Sequence, residues 1–213
     1  MLDYYELYAN GGIVQNQEDI ESGAWWEEDN DKGFKAKIRD KAKRLEPYGE
    51  EMDTFFAGLG QGYSPAADFI TNIMGQETIY GHLLNTNNMT SFGLSQVDPI
   101  RYQGLIDHYN DPGWKKRIDA VNNYMQSKAG YEDWDILNLA TMQGDKYTGF
   151  SRYADDPLTN FMLTRMLLTK DKKYGNYDKM PDIAQAGVWK DIWNTFEGAG
   201  DITEFTEKST EYR

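Results

Sequence analysis

The spacing of apolar residues along the chain predicts a mainly helical protein. From about residue 60 onward, apolar side chains recur every three or four positions, which is the period of an amphipathic helix. Ser or Asp precedes proline at three points where such a pattern begins, as is typical of an N-cap followed by the first helical residue. These pairs are Ser64-Pro65, Asp111-Pro112 and Asp156-Pro157. The pattern predicts helices at 65–79, 112–128, 133–143, 157–169 and from about 181, with a further short helix at 34–46.

Strand-like alternation is weak everywhere, so we expect at most a small β-hairpin region, near residues 84–97. The predicted fold class is therefore mainly α. A chain of 213 residues suits one main domain with short extensions. We divide it into an N-terminal arm (1–50), a main domain (51–170) and a C-terminal helical extension that packs on the main domain (171–213).

Composition narrows the classes of partner and chemistry. The formal net charge of −13 argues against nucleic acid, because phosphate binding needs clustered Lys and Arg. The absence of cysteine excludes thiol nucleophiles and thiolate metal sites. The two histidines, His82 and His108, match no short zinc motif, so we expect no metal and no cofactor. The N-terminal segment lacks the pattern of a secretory signal, and no stretch has the roughly 20 apolar residues of a membrane span.

One carboxylate falls on an apolar helix face. In the predicted helix 65–79, Ile70, Ile73 and Glu77 share one side, so Glu77 lies at the C-terminal end of a buried stripe. Desolvation and the negative end of the helix dipole both favour a protonated carboxyl group there. General acid catalysis on a glycosidic oxygen needs that state. Taken alone, the pattern favours instead a glutamate at a helix edge that is exposed or paired with a lysine.

The residues that follow Glu77 add a second feature. Gln76-Glu77-Thr78 is followed, sixteen residues after the glutamate, by Gly93-Leu94-Ser95-Gln96. This arrangement resembles the lytic transglycosylases and goose-type lysozymes, in which Glu-Ser is followed by a loop, then Ser-x-Gly-Leu-Met-Gln and a proline. Here Thr78 stands for the serine and Ser95 for the methionine. A third segment, 139–144, is similar to the family's Ala-Tyr-Asn-x-Gly segment with one residue fewer, so the resemblance covers roughly 60–160.

The resemblance implies a lysozyme-like α+β fold, in which 51–170 is the catalytic domain and a small β-hairpin region lies beside the active-site groove. It implies that Glu77 protonates the glycosidic oxygen between N-acetylmuramic acid and N-acetylglucosamine, then accepts the proton of the C6 hydroxyl as a 1,6-anhydro ring closes. Water in place of that hydroxyl would give a lysozyme. The substrate contacts that it implies are Thr78, Ser91, Gly93, Leu94, Gln96, Met142, Gln143 and Tyr147.

Individual residues have a physical reason for these roles. Gly93 would let the backbone approach a sugar closely, and Gln96 offers both a donor and acceptors for sugar hydroxyls. Tyr147 is the best candidate for an aromatic wall of the groove; Tyr80, Tyr102 and Tyr153 are further candidates. A second catalytic carboxylate is not evident. Position 86, where a phage-lysozyme pattern would place an aspartate, is Thr86, and we interpret Asp98 as a turn or cap residue before Pro99.

The C-terminal segment 185–200 looks similar to a segment of bacteriophage virion proteins that carry lysozyme-like domains. This likeness implies a virion-associated enzyme that acts in the host periplasm and cell wall. Its partners would be peptidoglycan glycan strands and other virion proteins. A phage endolysin, a non-catalytic virion structural protein with a lysozyme-like fold, and a wall peptidase on that fold are the alternatives.

Overall fold

The computed structural model describes residues 32–60, 64–81, 90–169, 176–194 and 201–211. By their contacts these residues form two compact units, which we describe separately. The described residues up to 81 and from 176 onward form the first unit, and 90–169 form the second. The helix that carries Glu77 therefore groups with the C-terminal helices. The predicted division at 50 and 170 stays a prediction, and most of the predicted arm, 1–31, lies outside the described residues.

Helices dominate the described part of the chain. In order they are α1 (Lys32–Gly58), α2 (Ala67–Thr78), α3 (Pro99–Asp107), α4 (Pro112–Gln126), α5 (Pro157–Thr169), α6 (Asp182–Trp189) and α7 (Ile202–Glu211). Short 3-10 turns lie at His108–Asn110, Ile136–Asn138 and Tyr177–Lys179, and α6 continues as a π-helical segment, Lys190–Asn194. The strands β1 (Ala140–Gln143) and β2 (Lys146–Phe150) pair as an antiparallel hairpin. A mainly helical fold with a small sheet was predicted, and at that level the prediction is confirmed.

Helix α1 of the first unit is much longer than the predicted 34–46 and continues through Pro47. A proline inside a helix removes one backbone hydrogen bond, which normally ends or bends the helix. Here a buried apolar stripe with helical spacing continues across the proline, so tertiary packing outweighs the lost bond. Its members are Ile38, Ala42, Leu45, Met52 and Phe56. Helices α1 and α2 pack against each other.

The start of α2 is capped differently from the prediction. Ser64 is not the cap: its hydroxyl donates to Asn176 Oδ1 at 3.1 Å. The backbone N–H groups at the start of α2 donate instead to two carboxylates from other elements. Asp53 of α1 accepts from Ala66 and Ala67, and Asp178 accepts from Asp68 and Phe69. These acceptors satisfy N–H groups that a helix start leaves without a partner inside the helix.

The second unit is built around α5. The boundaries of this helix match the predicted helix 157–169. Every side chain from Leu158 to Leu168 is buried, so α5 is a central core helix rather than an amphipathic surface helix. Its polar members make internal hydrogen bonds. Trp134 Nε1 donates to Thr159 Oγ1 at 2.9 Å, for example.

The predicted helix 133–143 is wrong. Asp135 and Asn138 fix a 3-10 turn instead: the Asp135 carboxylate accepts from the Leu137 N–H and from the Asn138 amide. Such short polar side chains compete with the helical bonding of the backbone. The chain then enters β1 and turns at Gly144, where φ is +64°. The two-stranded sheet therefore lies at 140–150. Of the predicted region 84–97, residues 84–89 lie outside the described residues, and the described part forms an isolated antiparallel bridge between Phe92 and Val97 and no strand pair.

Candidate active site

Glu77 lies in the last turn of α2, on the predicted face. Ile70 and Ile73 are completely buried, and the Glu77 side chain is half-buried at the end of the stripe that they form. The indole Nε1–H of Trp189, the last residue of α6, donates to Glu77 Oε1 at 2.9 Å. Trp189 itself is completely buried and stacks on Phe205 of α7, with the ring centroids 5.1 Å apart. The carboxyl group is therefore held by the C-terminal helices of the same unit.

The backbone two to four residues after Glu77 is unusual. Ile79, Tyr80 and Gly81 all have positive φ, at 50°, 54° and 78°. Positive φ in a β-branched residue such as isoleucine is rare and costs energy, and strain of this kind often accompanies functional sites. The Tyr80 ring packs so closely over Gly75 that a Cβ atom there would lie 2.6 Å from the ring. The Ile79 and Tyr80 N–H groups donate to the Gly75 and Met74 carbonyls, each at 3.1 Å, as in a left-handed C-cap. These bonds and the packing of Tyr80 on Gly75 fix the end of α2.

Thr78 and Tyr80 are buried, at 1% and 4% exposure, so neither offers the substrate contact expected of it. The Thr78 hydroxyl donates to the Met74 carbonyl at 3.0 Å and accepts the Gly81 N–H at 3.0 Å. It therefore satisfies backbone groups at the helix end, where the last carbonyls have no partner inside the helix. Its described contacts make it a structural residue of α2.

In the second unit, the motif 93–96 forms a tight closed turn. Phe92 and Val97 pair across it with two backbone hydrogen bonds of 2.8 and 2.9 Å. Gly93 has φ of +64°, which favours glycine. The close approach that requires glycine is to Asn160 of α5 and to the Ala154 carbonyl, which would lie 2.9 Å from an added Cβ atom. Packing inside the protein therefore requires glycine at position 93, whereas the sequence analysis expected the close approach of a sugar to require it.

Two side chains of the motif bond within the turn itself. Gln96 Nε2 donates to the Gly93 carbonyl at 2.7 Å, and Gln96 Oε1 accepts from the Ser91 hydroxyl. Gln96 also has positive φ, at 48°. Both side chains are half-buried. The structure therefore brings Ser91 and Gln96 together as predicted site residues, with part of their hydrogen-bonding capacity used by the turn.

The turn is anchored to α5 by buried polar pairs. Leu94 is 5% exposed, and its N–H donates to Asn160 Oδ1 at 2.7 Å. Ser95 is completely buried and accepts a hydrogen bond from Thr164 at 2.9 Å. This bond between two hydroxyl groups is a second link from the turn to α5. Burial makes Leu94 a core residue rather than an open binding surface.

The tyrosines expected to line a groove are core residues. Tyr147 is completely buried, and its hydroxyl donates to the Val97 carbonyl at 3.0 Å, so it supports the turn and does not line an open surface. Tyr102 is 1% exposed, donates to the Ile136 carbonyl and accepts from Leu139 N–H. Burial raises the pKa of Tyr102 to about 12 and the pKa of Tyr147 further still. Tyr153 is 7% exposed and bonds to Asp133.

Met142 and Gln143 lie at the end of β1, where they pair with Tyr147 and Lys146 of β2. Met142 is half-buried and Gln143 is exposed. Both residues are accessible, as a substrate contact requires, and their role in substrate contact stays a prediction. The pairing register of the two strands shifts between Thr141 and Met142.

Three further residues complete the comparison with the sequence. Asp98 caps α3 by accepting the Arg101 N–H at 2.8 Å, which confirms its interpretation as a cap residue. His108 is exposed and bonds to Asp111 Oδ2 at 2.9 Å, whereas His82 lies outside the described residues.

Among the residues that the structure describes, no group of three or more His, Asp or Glu side chains could hold a metal ion. No helix in this part of the chain is long and apolar enough to cross a membrane.

Two residues with a direct effect on the candidate site were not predicted. Trp189 holds Glu77, and Asn160 holds the 93–96 turn. An asparagine inside the largely apolar segment 157–169 does signal a buried hydrogen-bonding role. No local pattern links Trp189 with Glu77, because 112 residues separate them.

Comparison with known protein families, curated proteins and solved structures finds no match for this chain.

Proposed function

We propose that this protein cleaves the glycan strands of bacterial peptidoglycan, as a lytic transglycosylase with Glu77 as its acid and base. The observation that carries the proposal is the position of the Glu77 carboxyl group. It lies at the end of a buried helix face, half-buried, with one oxygen held by an indole N–H. A carboxyl group that is partly removed from water and held in one orientation suits proton transfer to a fixed oxygen.

In the proposed reaction, Glu77 donates its proton to the glycosidic oxygen between N-acetylmuramic acid and N-acetylglucosamine. The N-acetyl carbonyl of the substrate stabilises the oxocarbenium-like centre, and the Glu77 carboxylate then accepts the C6 hydroxyl proton as the 1,6-anhydro ring closes. This scheme uses a single carboxyl group. The expected substrate contacts Ser91, Gln96, Met142 and Gln143 belong to the second unit, retain accessible surface and stay predictions from the sequence. Delivery by a phage particle is part of the proposal.

Clearing of a suspension of purified peptidoglycan tests this function. We compare the wild type with Glu77→Gln, which keeps the size of the side chain but removes the titrating proton. Glu50→Gln on the exposed side of α1 is the matched control. We expect clearing by the wild type and the control, and a loss of at least about 100-fold in Glu77→Gln, the lower end of the usual range for an acid-base group. A wild type that does not clear the wall would instead favour a non-catalytic virion protein.

A further inference from the structure

Two polar side-chain pairs, one fully and one partly buried, join α2 and α6 in the first unit, and they follow each other in the same order along both helices. Asn72 Nδ2 donates to Gln185 Oε1 at 2.8 Å, and one turn further on Trp189 Nε1 donates to Glu77 Oε1 at 2.9 Å. Asn72 and Gln185 are 2% and 1% exposed. Because buried amide groups need matched partners, this first pair fixes how far the two helices slide and rotate against each other.

The amide of Gln185 is bound on its other side as well. Its Nε2 donates to the Tyr177 carbonyl at 3.1 Å and to the Met180 carbonyl at 3.3 Å. The start of α6 is therefore tied to the 3-10 turn before it and to α2. Any other register of α6 against α2 would leave these buried amide groups without hydrogen-bond partners. An unsatisfied buried polar group costs desolvation free energy, whereas a shifted contact between apolar groups does not.

Trp189 follows Gln185 by four residues, so both side chains lie on the same face of α6. The indole of Trp189 is packed on Phe205 of α7 and has no contact with solvent. An indole N–H is a donor only, and its ring has little freedom once it is packed. The network thus aims one rigid donor at one oxygen of Glu77.

We propose that Trp189 is a positioning residue that holds Glu77 Oε1, so that the proton transferred in the reaction is carried on Oε2. The proposal rests on the proposed function. Because the indole can only donate, it engages Oε1 in both protonation states of the carboxyl group and neither gives nor takes the reacting proton. The Asn72–Gln185 pair sets the register in which this donor meets the carboxyl group.

Kinetics of wall cleavage test the positioning role. We compare Trp189→Phe, which keeps an aromatic ring but removes the donor, with Trp193→Phe, a buried tryptophan in the π-helical segment. We expect kcat to fall by about 10- to 100-fold in Trp189→Phe with KM within about two-fold, since misplacing a reacting group costs rate more than binding. Trp193→Phe should keep kcat within about two-fold. Equal kcat losses in both variants, or none in Trp189→Phe, would overturn the proposal.

A spectroscopic measurement needs no substitution at position 189, so it tests the contact even if Trp189→Phe fails to fold. The indole N–H signal of Trp189 is followed by nitrogen-15 NMR as the pH is varied, in the wild type and in Glu77→Gln. We expect the signal to shift with the titration of Glu77 in the wild type and to stay constant in the variant, whose amide oxygen accepts the same hydrogen bond. A wild-type signal without pH response, or an equal response in both, would contradict the contact.

The two readouts separate the two proposals. If the wild type cleaves no peptidoglycan while the Trp189 signal follows Glu77, the function is wrong and the hold of Trp189 on the carboxyl group stands. If the wall is cleaved but the signal is independent of Glu77, the function stands and the positioning role is wrong.

Discussion

The two units place their candidate functional groups in different ways. In the first unit, Glu77 is held by Trp189, a side chain 112 residues further along the chain. In the second, the 93–96 turn closes on itself through bonds between residues no more than five apart, and α5 then anchors it through Asn160. The first arrangement depends on how helices pack, and the second depends first on backbone conformation.

This difference decides which changes each unit tolerates. A turn that requires positive φ and close packing at one glycine has no way to relax, because the neighbouring atoms are a buried asparagine and a backbone carbonyl. A helix that is held by side chains can lose one contact and keep its fold. We therefore expect backbone substitutions to act most strongly in the second unit, and side-chain substitutions to act on chemistry in the first.

Gly93→Ala should give the largest loss of stability. Alanine at positive φ costs about 1–2 kcal/mol, and its Cβ atom would overlap Asn160 Oδ1, with overpacking costs of about 1–3 kcal/mol. Together these predict a decrease in the free energy of unfolding of roughly 3 kcal/mol, measured by urea denaturation.

Gly113→Ala on α4 is the control for that change. Nothing lies within 4 Å of a Cβ atom at position 113, so alanine should be neutral or stabilise the helix by up to about 1 kcal/mol. If Gly93→Ala is as stable as Gly113→Ala, the tight turn does not form as described.

Gly75→Ala tests the first unit in the same way and should have a smaller effect. The helix gains about 1 kcal/mol of propensity from alanine, but the buried Tyr80 ring lies 2.6 Å from the new Cβ atom and must move. The overpacking cost exceeds the gain, so we expect a net loss of about 1–2 kcal/mol in urea denaturation. A variant more stable than the wild type would contradict the packing of Tyr80 on α2.

The smallest expected effect is the pH dependence contributed by Asp178 at the start of α2. Burial raises the pKa of Asp178 from 3.8 to about 6, the nearby carboxylates of Asp68 and Asp53 also raise it, and the N–H groups that it accepts oppose the shift. The folded protein thus binds this proton more tightly than the unfolded chain. The contribution of Asp178 to the free energy of unfolding is therefore fully present below pH 3.8 and is lost as the pH rises through about 6.

Denaturation at several pH values, with Asp178→Asn as the comparison, measures this contribution. We expect the wild type to lose more stability than Asp178→Asn as the pH rises from about 4 to 7, because asparagine cannot ionise. Parallel curves for the two proteins would show that the carboxyl group is not held in the buried position described.

Local signals in the sequence were sufficient for some of these features. Helix α5 and the starts of α4 and α6 follow from apolar spacing and proline positions, and Asp98 caps α3 as predicted. Glu77 lies at the end of the buried face that its spacing from Ile70 and Ile73 predicted. Each of these features depends on residues within two turns of one another, which a sequence displays directly.

The errors have a common physical origin in long-range packing. Helix α1 continues through Pro47 because its buried stripe packs on α2. The segment 140–143 forms a strand because it pairs with β2, although its apolar spacing also fits a helix. Tyr147 was expected in a groove, but a tyrosine is equally stable in a core where its hydroxyl finds a carbonyl, here that of Val97.

The products of peptidoglycan digestion test the central claim, the acid-base role of Glu77, most directly. Purified peptidoglycan is digested with the wild type and with Glu77→Gln, and the soluble fragments are identified by mass spectrometry. We predict anhydro-muropeptides from the wild type and none above background from Glu77→Gln. Reducing ends would indicate a lysozyme that uses the same carboxyl group, whereas freed peptides, no fragments from the wild type, or equal products from both proteins would contradict the account.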